Sequence, residues 1–382
     1  MNNTTTSISL KERTLRITLI VIRVLIGLVF IFSGFVKAID PLGFTYKIED
    51  YLHSFGGILA NFASLAFPTS VALSTLELVL GLNLIFKIRS QFTTTLTLLF
   101  MAVMTPLTLY IAIKNPVTNC GCFGDALVIT NWETFYKNVV FITIAITLFL
   151  KRGNISCSLK SNTQWFILGF FVIFGIGLSV YSVNHLPMID FLPYKVGVNI
   201  TEAMQIPDGA PSDKYETTFV YEKNGEQKEF SLNNYPKGDS TWKFVDQKTK
   251  LISKGFEPKI HDFSITNSEL EDITEDVLLF EGNTYLVMMY DLEKSSEEGA
   301  KTAESLYQKA LASNIHFYAL TASSDEMIQL FRQKTGVTFP FYKTDPIAQK
   351  TAIRANPGFM LINKGTIMGK WNWRDFSLNE LN

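Results

Sequence analysis

An excess of charge of one sign is absent from this sequence. Thirty-four lysines and arginines face 35 aspartates and glutamates, so net charge offers no argument for a nucleic-acid partner. Long apolar runs are absent after residue 185, although they crowd the sequence before it. That shift separates a membrane half from a water-soluble half, and the length allows two or three domains. Histidine is scarce: His261 and His316 of the soluble half lie far apart and form no metal or triad motif. Cysteine is scarcer still, with three in all and none after Cys157.

Two of those three sit in Asn119-Cys120-Gly121-Cys122-Phe123-Gly124-Asp125, a short polar gap between two long apolar runs. One intervening residue forces the thiols close together. A disulfide there closes a small ring with distorted Cβ–S–S–Cβ geometry, and such strain makes a bond more reducible. The pattern suits a membrane-surface redox pair; an inert structural loop and a fragment of a metal site are the competing readings. Asp125 is a candidate acceptor of a thiol proton, or a turn residue in Gly124-Asp125. Phe123, Trp132 and Tyr136 flank the loop and are candidates for a quinone slot, or for the aromatic belt of a membrane interface.

Five segments, 15–38, 66–86, 92–113, 135–150 and 165–183, are long enough to cross about 30 Å of hydrocarbon, the fourth by starting near Trp132. The first is too long for a signal peptide, and no small-x-small cleavage site follows it. Lys11, Arg13 and Arg16 precede the first span, Lys87 and Arg89 separate the second from the third, and Lys151, Arg152 and Lys160 lie between the fourth and fifth. The positive-inside rule makes these three places cytoplasmic. The 40–65 connection, the cysteine loop and everything after Asn184 are then outside, and Cys157 is inside. Arg23, Gly27, Phe30, Gly34 and Lys37 mark one face of the first span. Counting about 1.5 Å per residue from the cytoplasmic ends puts Arg23 roughly 10 Å deep and Glu77 roughly 15 Å deep. An intramembrane Arg23–Glu77 pair is therefore expected, as a structural lock or as a proton-handling carboxylate beneath the thiols. Asn115-Pro116 ends the third span, Pro106 is expected to kink it, and Thr130 with Glu133 forms a capping box for the fourth.

Phe32-Ser33-Gly34-Phe35-Val36-Lys37, Glu77-Leu78-Val79-Leu80-Gly81 and the Asn119–Asp125 motif together resemble the DoxX/MauE group of bacterial membrane proteins over about residues 15–150. The resemblance implies a four-helix unit in the cytoplasmic membrane. In the MauE branch it implies a link to disulfide formation in exported proteins, including methylamine dehydrogenase. The architecture is also similar to the vitamin K epoxide reductase and DsbB type of quinone-coupled thiol oxidase. Those oxidases relay electrons through a second outer cysteine pair, which this sequence does not have.

In the soluble half, 185–216 reads as a linker. A hairpin follows at 217–222 and 226–232 around Asn224-Gly225, with a further strand region at 242–252. Strands are expected at 284–290 and 316–320, helices at 295–311, 325–335 and 348–354, and a closing hairpin at 359–362 and 366–371. Lys259-Ile260-His261-Asp262-Phe263-Ser264-Ile265 and Asn356-Pro357-Gly358-Phe359-Met360-Leu361-Ile362 resemble the opening strand and cis-proline segment of a thioredoxin-like domain over 256–376. Where that family carries Cys-x-x-Cys, this chain reads Asp291-Leu292-Glu293-Lys294-Ser295-Ser296, so thiolate chemistry is excluded there.

The expected fold is multi-domain: an all-α transmembrane bundle at 1–184, a linker and β-hairpin region at 185–255, and an extracytoplasmic α/β thioredoxin-like domain at 256–382. The expected function is a membrane-embedded thiol/disulfide redox or maturation factor of the bacterial envelope. It acts through Cys120 and Cys122 on a periplasmic protein, with the thioredoxin-like domain as a docking module and quinone as a possible acceptor. A non-enzymatic envelope accessory protein is one alternative. The other is a soft-metal handling protein in which His53 joins the two thiols.

Overall fold

The first apolar run becomes helix α1 (Leu10–Ile39). Asp40 then caps α2 (Pro41–Phe55): its carboxylate accepts from the Gly43 N–H, and Pro41 opens the helix where no amide partner is needed. A 3-10 segment, Gly57–Leu65, leads into α3 (Ala66–Phe86). Lys87 and Arg89 take positive φ in the tight turn to α4 (Ser90–Lys114), which continues through Pro106 as one helix. α5 (Asn131–Leu150) starts at the expected capping box, with the Glu133 N–H on the Thr130 hydroxyl and the Thr130 N–H on the Glu133 carboxylate. α6 (Ser161–Asn184) completes the membrane half. The five long helices α1, α3, α4, α5 and α6 are apolar enough to cross a membrane. This computed structural model describes residues 10–378 except 118, 119, 156, 254 and 314, so Asn119 of the cysteine motif lies outside the described residues.

Small residues set the packing of the bundle. A Cβ on Gly34 would collide with the backbone of Leu78 in α3, and one on Gly81 with the backbone of Ile31 in α1. These two glycines let α1 and α3 approach backbone to backbone. Ile26 and Phe30 of α1, Leu80 and Leu84 of α3, Met101 of α4 and Leu148 of α5 fill the interior.

After α7 (Ile200–Met204), strands β1 (Lys214–Lys223), β2 (Glu226–Ser231) and β3 (Lys243–Ser253) make an antiparallel sheet of order β2-β1-β3. Asn224 and Gly225 both take positive φ, as a two-residue hairpin turn of this kind demands.

The remaining elements are α8 (Thr274–Leu279), β4 (Asn283–Met288), α9 (Glu297–Ser313), β5 (His316–Thr321), α10 (Asp325–Thr335), β6 (Phe341–Lys343), α11 (Pro346–Ala352), β7 (Gly358–Asn363) and β8 (Thr366–Asn372). Their sheet has the order β6-β5-β4-β7-β8, with β4, β5 and β6 parallel and β7 and β8 antiparallel. A β-α-β crossover followed by an antiparallel hairpin on the other side of the first strand is the thioredoxin-like arrangement. The Asn356-Pro357 peptide is cis. β4 is covered on both faces, which is why it reads as an unbroken apolar run: Tyr285 and Val287 pack toward α9 and α10, Leu286 and Met288 toward α11.

The stretch expected as a linker contributes to this core. Tyr194 and Ile200 are buried with Phe263, and the Ile200 N–H donates to the Gly365 carbonyl at 2.8 Å. Tyr194, Val196, Val198 and Ile200 alternate with polar or small residues there, but the proline, glycine and polar content dominated the sequence reading.

Candidate functional site

Gly121 and Gly124 both adopt positive φ, and the Gly124 N–H closes a turn onto the Gly121 carbonyl at 3.0 Å. A Cβ on Gly121 would also come within 3.3 Å of the Lys47 side chain, which can shift, so the positive φ is what favours glycine there. The turn directs both sulfurs to the same side, and Cys120 Sγ lies 3.0 Å from Cys122 Sγ. Both are free thiols, half-buried.

The two thiols differ electrostatically. The hydrogen bond from Cys120 draws the Cys122 thiol down to about 6; burial opposes this, and Lys137 and Lys37 add to the pull. Contact with Cys122 and burial push the Cys120 thiol up. The pair titrates as a unit in which the thiolate is favoured at Cys122; Lys137 acts on both sulfurs and Lys37 on Cys122.

Beneath the loop lies a cavity of about 240 Å³ in the bundle, with Cys120 and Cys122 in its wall. Its lining is mostly apolar and includes Phe30, Phe44, Phe100 and Phe141. Its polar side is the Lys37–Glu77 pair. Lys37 Nζ lies 2.6 Å and 2.7 Å from the two Glu77 carboxylate oxygens. Ser33 Oγ lies 2.6 Å from Glu77 Oε2 and 2.7 Å from the Cys122 carbonyl, so its single proton serves one acceptor at a time. A continuous polar line thus joins Lys37, Glu77 and Ser33 to the backbone of Cys122.

The expected Arg23–Glu77 pair is therefore replaced by Lys37–Glu77. Arg23 donates instead to the carbonyls of Leu84 and Ile85 in the last turn of α3. Those carbonyls have no partner within the helix, and a cation suits a helix C-terminus. Eight residues, about 12 Å of helix rise, separate Ile85 from Glu77. The depth count failed because it took the amino end of the first span and the carboxy end of the second to lie level.

Asp125 does not meet the thiols as a proton acceptor. Its carboxylate pairs with Arg354 at 3.0 Å, and burial lifts it above the usual carboxylate range against the pull of Arg354. Of the three residues expected to form a quinone slot, Phe123 alone enters the cavity wall, buried under Lys137, whose Nζ lies 4.3 Å from the ring centroid. Trp132 and Tyr136 stack on each other at 5.9 Å and remain exposed on α5, as an interfacial belt requires. His53 is exposed on α2, and among the described residues no group of three or more His, Cys, Asp or Glu side chains could hold a metal ion.

Lys137, Ser33, Tyr51 and Arg354 were missed as site residues. Tyr51 of α2 donates to the Cys120 carbonyl at 2.8 Å, and burial raises its phenol, so it stays a donor. Asp40-Pro41 was the signal for α2, a cap followed by proline at the first helical position. Nothing local announces Arg354, whose partner Asp40 lies 314 positions away.

Comparison with known proteins covers two stretches of sequence and one fold. Residues 15–151 match the family model "Methylamine utilisation protein MauE". Residues 215–254, which hold the β1–β3 sheet, match "Domain of unknown function (DUF8463)". No curated protein matches the chain. Among solved structures, a candidate protein disulfide isomerase from Bacteroides thetaiotaomicron aligns at 17% identity, covering 30% of this chain and 77% of its own, with a TM-score of 0.24.

Proposed function

We propose that the protein is a membrane-embedded thiol/disulfide redox or maturation factor of the bacterial envelope, working through Cys120 and Cys122. The observation that carries this reading is the pair of sulfurs 3.0 Å apart in the wall of an apolar cavity, with one thiol drawn down to about 6. The MauE match over the same helices supports it. The charge clusters of the sequence support an amino terminus in the cytoplasm, with the cysteine loop and the α/β domain in the periplasm.

In the oxidising direction, a partner thiolate attacks Cys120 Sγ of the Cys120–Cys122 disulfide. A mixed disulfide with Cys120 forms, and Cys122 leaves as the thiolate, because the thiol of lower pKa is the better leaving group. The partner's second thiolate then attacks its own sulfur in the mixed disulfide, which frees Cys120. The partner loses two electrons and the loop gains them. The reduced pair must pass two electrons and two protons onward, and a quinone is the class of acceptor suited to this cavity. The apolar wall takes a ring, and Lys37 and Glu77 can hold or deliver protons beside it. The α/β domain has no cysteine and serves as a docking module.

Thiol trapping in living cells tests the reading. Cys122→Ser has no loop disulfide, so Cys120 should accumulate a mixed disulfide by opening a disulfide of the oxidised partner, whose second sulfur leaves as the thiolate, and Cys120→Ser tests the reverse order through Cys122. If neither variant forms a mixed disulfide and both keep full function, the loop is structural and the protein is an accessory factor.

A further inference from the structure

Helix α2 lies between the cysteine loop and the α/β domain and touches both. Toward the loop, Tyr51 holds the Cys120 carbonyl, Lys47 covers Gly121, and Phe44, Ile48 and Leu52 complete the wall of the thiol cavity. Toward the α/β domain, the Tyr46 hydroxyl lies 3.1 Å from that of Tyr290, the residue just after β4. Lys350 lies over both rings, at 4.6 Å and 5.5 Å. Tyr290 precedes the stretch where thiol-exchanging relatives of this fold carry their cysteines, so the face that would meet a partner's sulfur meets α2 instead.

One side chain ties the three parts together. Arg354 Nε lies 3.0 Å from both carboxylate oxygens of Asp40, the residue that caps α2, and its Nη2 lies 3.0 Å from Asp125 of the cysteine loop. Its side chain is only 7% exposed. A buried cation between two carboxylates holds firmly while all three are present and is costly once one is removed. The seam it closes is not fully packed. A cavity of about 230 Å³, lined by charged groups such as Asp40, Lys47, Asp125 and Arg354 together with Phe44 and Ile347, runs along it. Loosely packed seams between domains are where relative motion is expected.

We propose that α2 is a lid over Cys120 and Cys122, that the α/β domain holds it shut, and that Arg354 is the latch. Closed, the lid leaves the sulfurs in the wall of the bundle cavity. A small lipid-soluble molecule reaches them from the bundle, and a folded protein does not. Released from Arg354, α2 swings away from the cysteine loop, and a protein cysteine gains access. The proposal rests on the redox reading only in taking a protein as the partner, since accessibility is measured whether or not the pair carries electrons.

The test uses the full-length protein in membranes, in a Cys157→Ser background, alkylated with N-ethylmaleimide and with a bulky polyethylene-glycol maleimide. Each rate is divided by the reagent's rate on free cysteine. In the parent, the bulky reagent should lag well behind the small one. Arg354→Met should raise the bulky-reagent rate by about fivefold or more, the low end of a coupling between sites, with little change for the small reagent. Asp40→Asn keeps an acceptor for the Gly43 N–H while removing the charge that Arg354 grips, and it should shift the ratio in the same direction. It also covers the case in which Arg354→Met fails to fold, recognised by both rates rising together. Equal normalised rates in the parent overturn the proposal, as does an unchanged ratio in folded Arg354→Met or, where that variant fails to fold, in Asp40→Asn.

Discussion

Replacing Glu77 by leucine removes the carboxylate that holds Lys37 inside the bundle. The two side chains are 4% and 10% exposed for Lys37 and Glu77 respectively, and the carboxylate accepts two hydrogen bonds from Lys37, with the Ser33 hydroxyl shared between it and the Cys122 carbonyl. Stranding a buried ammonium costs about 3–5 kcal/mol. For a body of this size that corresponds to a fall of roughly 6–20 °C in midpoint, at about 2–4 °C per kcal/mol. Thermal unfolding in detergent reads the shift. Replacing both partners, Lys37→Met with Glu77→Met, leaves no stranded charge and should recover most of the loss. Arg23→Met added to Glu77→Leu should recover nothing, because Arg23 is engaged at the end of α3. A double Lys37/Glu77 variant as unstable as Glu77→Leu, or a rescue by Arg23→Met, would refute the pairing.

Two further outcomes follow from the thiol environment. Alkylation of Cys122 by iodoacetamide should rise with pH through about 6, because the thiolate is the reactive form and is lost below that value. Lys137→Met should move the midpoint upward by removing a cation that favours the thiolate; an unmoved midpoint rejects that role. Trp132→Ala and Tyr136→Ala should leave the reactivity of both thiols within about twofold of the parent, since neither ring enters the cavity. A large loss in a folded variant would return them to the site.

Much of the architecture was legible because its signals are local. Each long apolar run became a helix, Thr130 and Glu133 capped α5, Asn224-Gly225 turned a hairpin, and the buried run at β4 marked the centre of a sheet. The cysteine motif was legible for the same reason. Its glycines are conformational requirements, and a two-residue offset brings the sulfurs together whatever surrounds them. What surrounds them was not legible. Lys37 had been placed on the correct face of α1, yet choosing its partner required the relative height of two helices, and their packing through Gly34 and Gly81 sets that height. α2 carries Lys47, Glu49 and Asp50 and so lacked the apolar signature of its neighbours. The bridge from Arg354 to Asp40 and Asp125 joins residues 314 and 229 positions apart, and no periodicity records such a contact.

The distance along the chain between Asp125 and Arg354, 229 positions, has a consequence for how the protein is made. At about 5–20 residues per second, Arg354 leaves the ribosome roughly 10–50 s after Asp125. For that interval the nascent chain holds the cysteine motif and the helices on either side of it without the residue that later grips the loop. With Arg354 as the latch proposed above, whatever first oxidises, reduces or modifies the two sulfurs would meet them most easily then, and a chain cut short before residue 354 would stay in that state permanently.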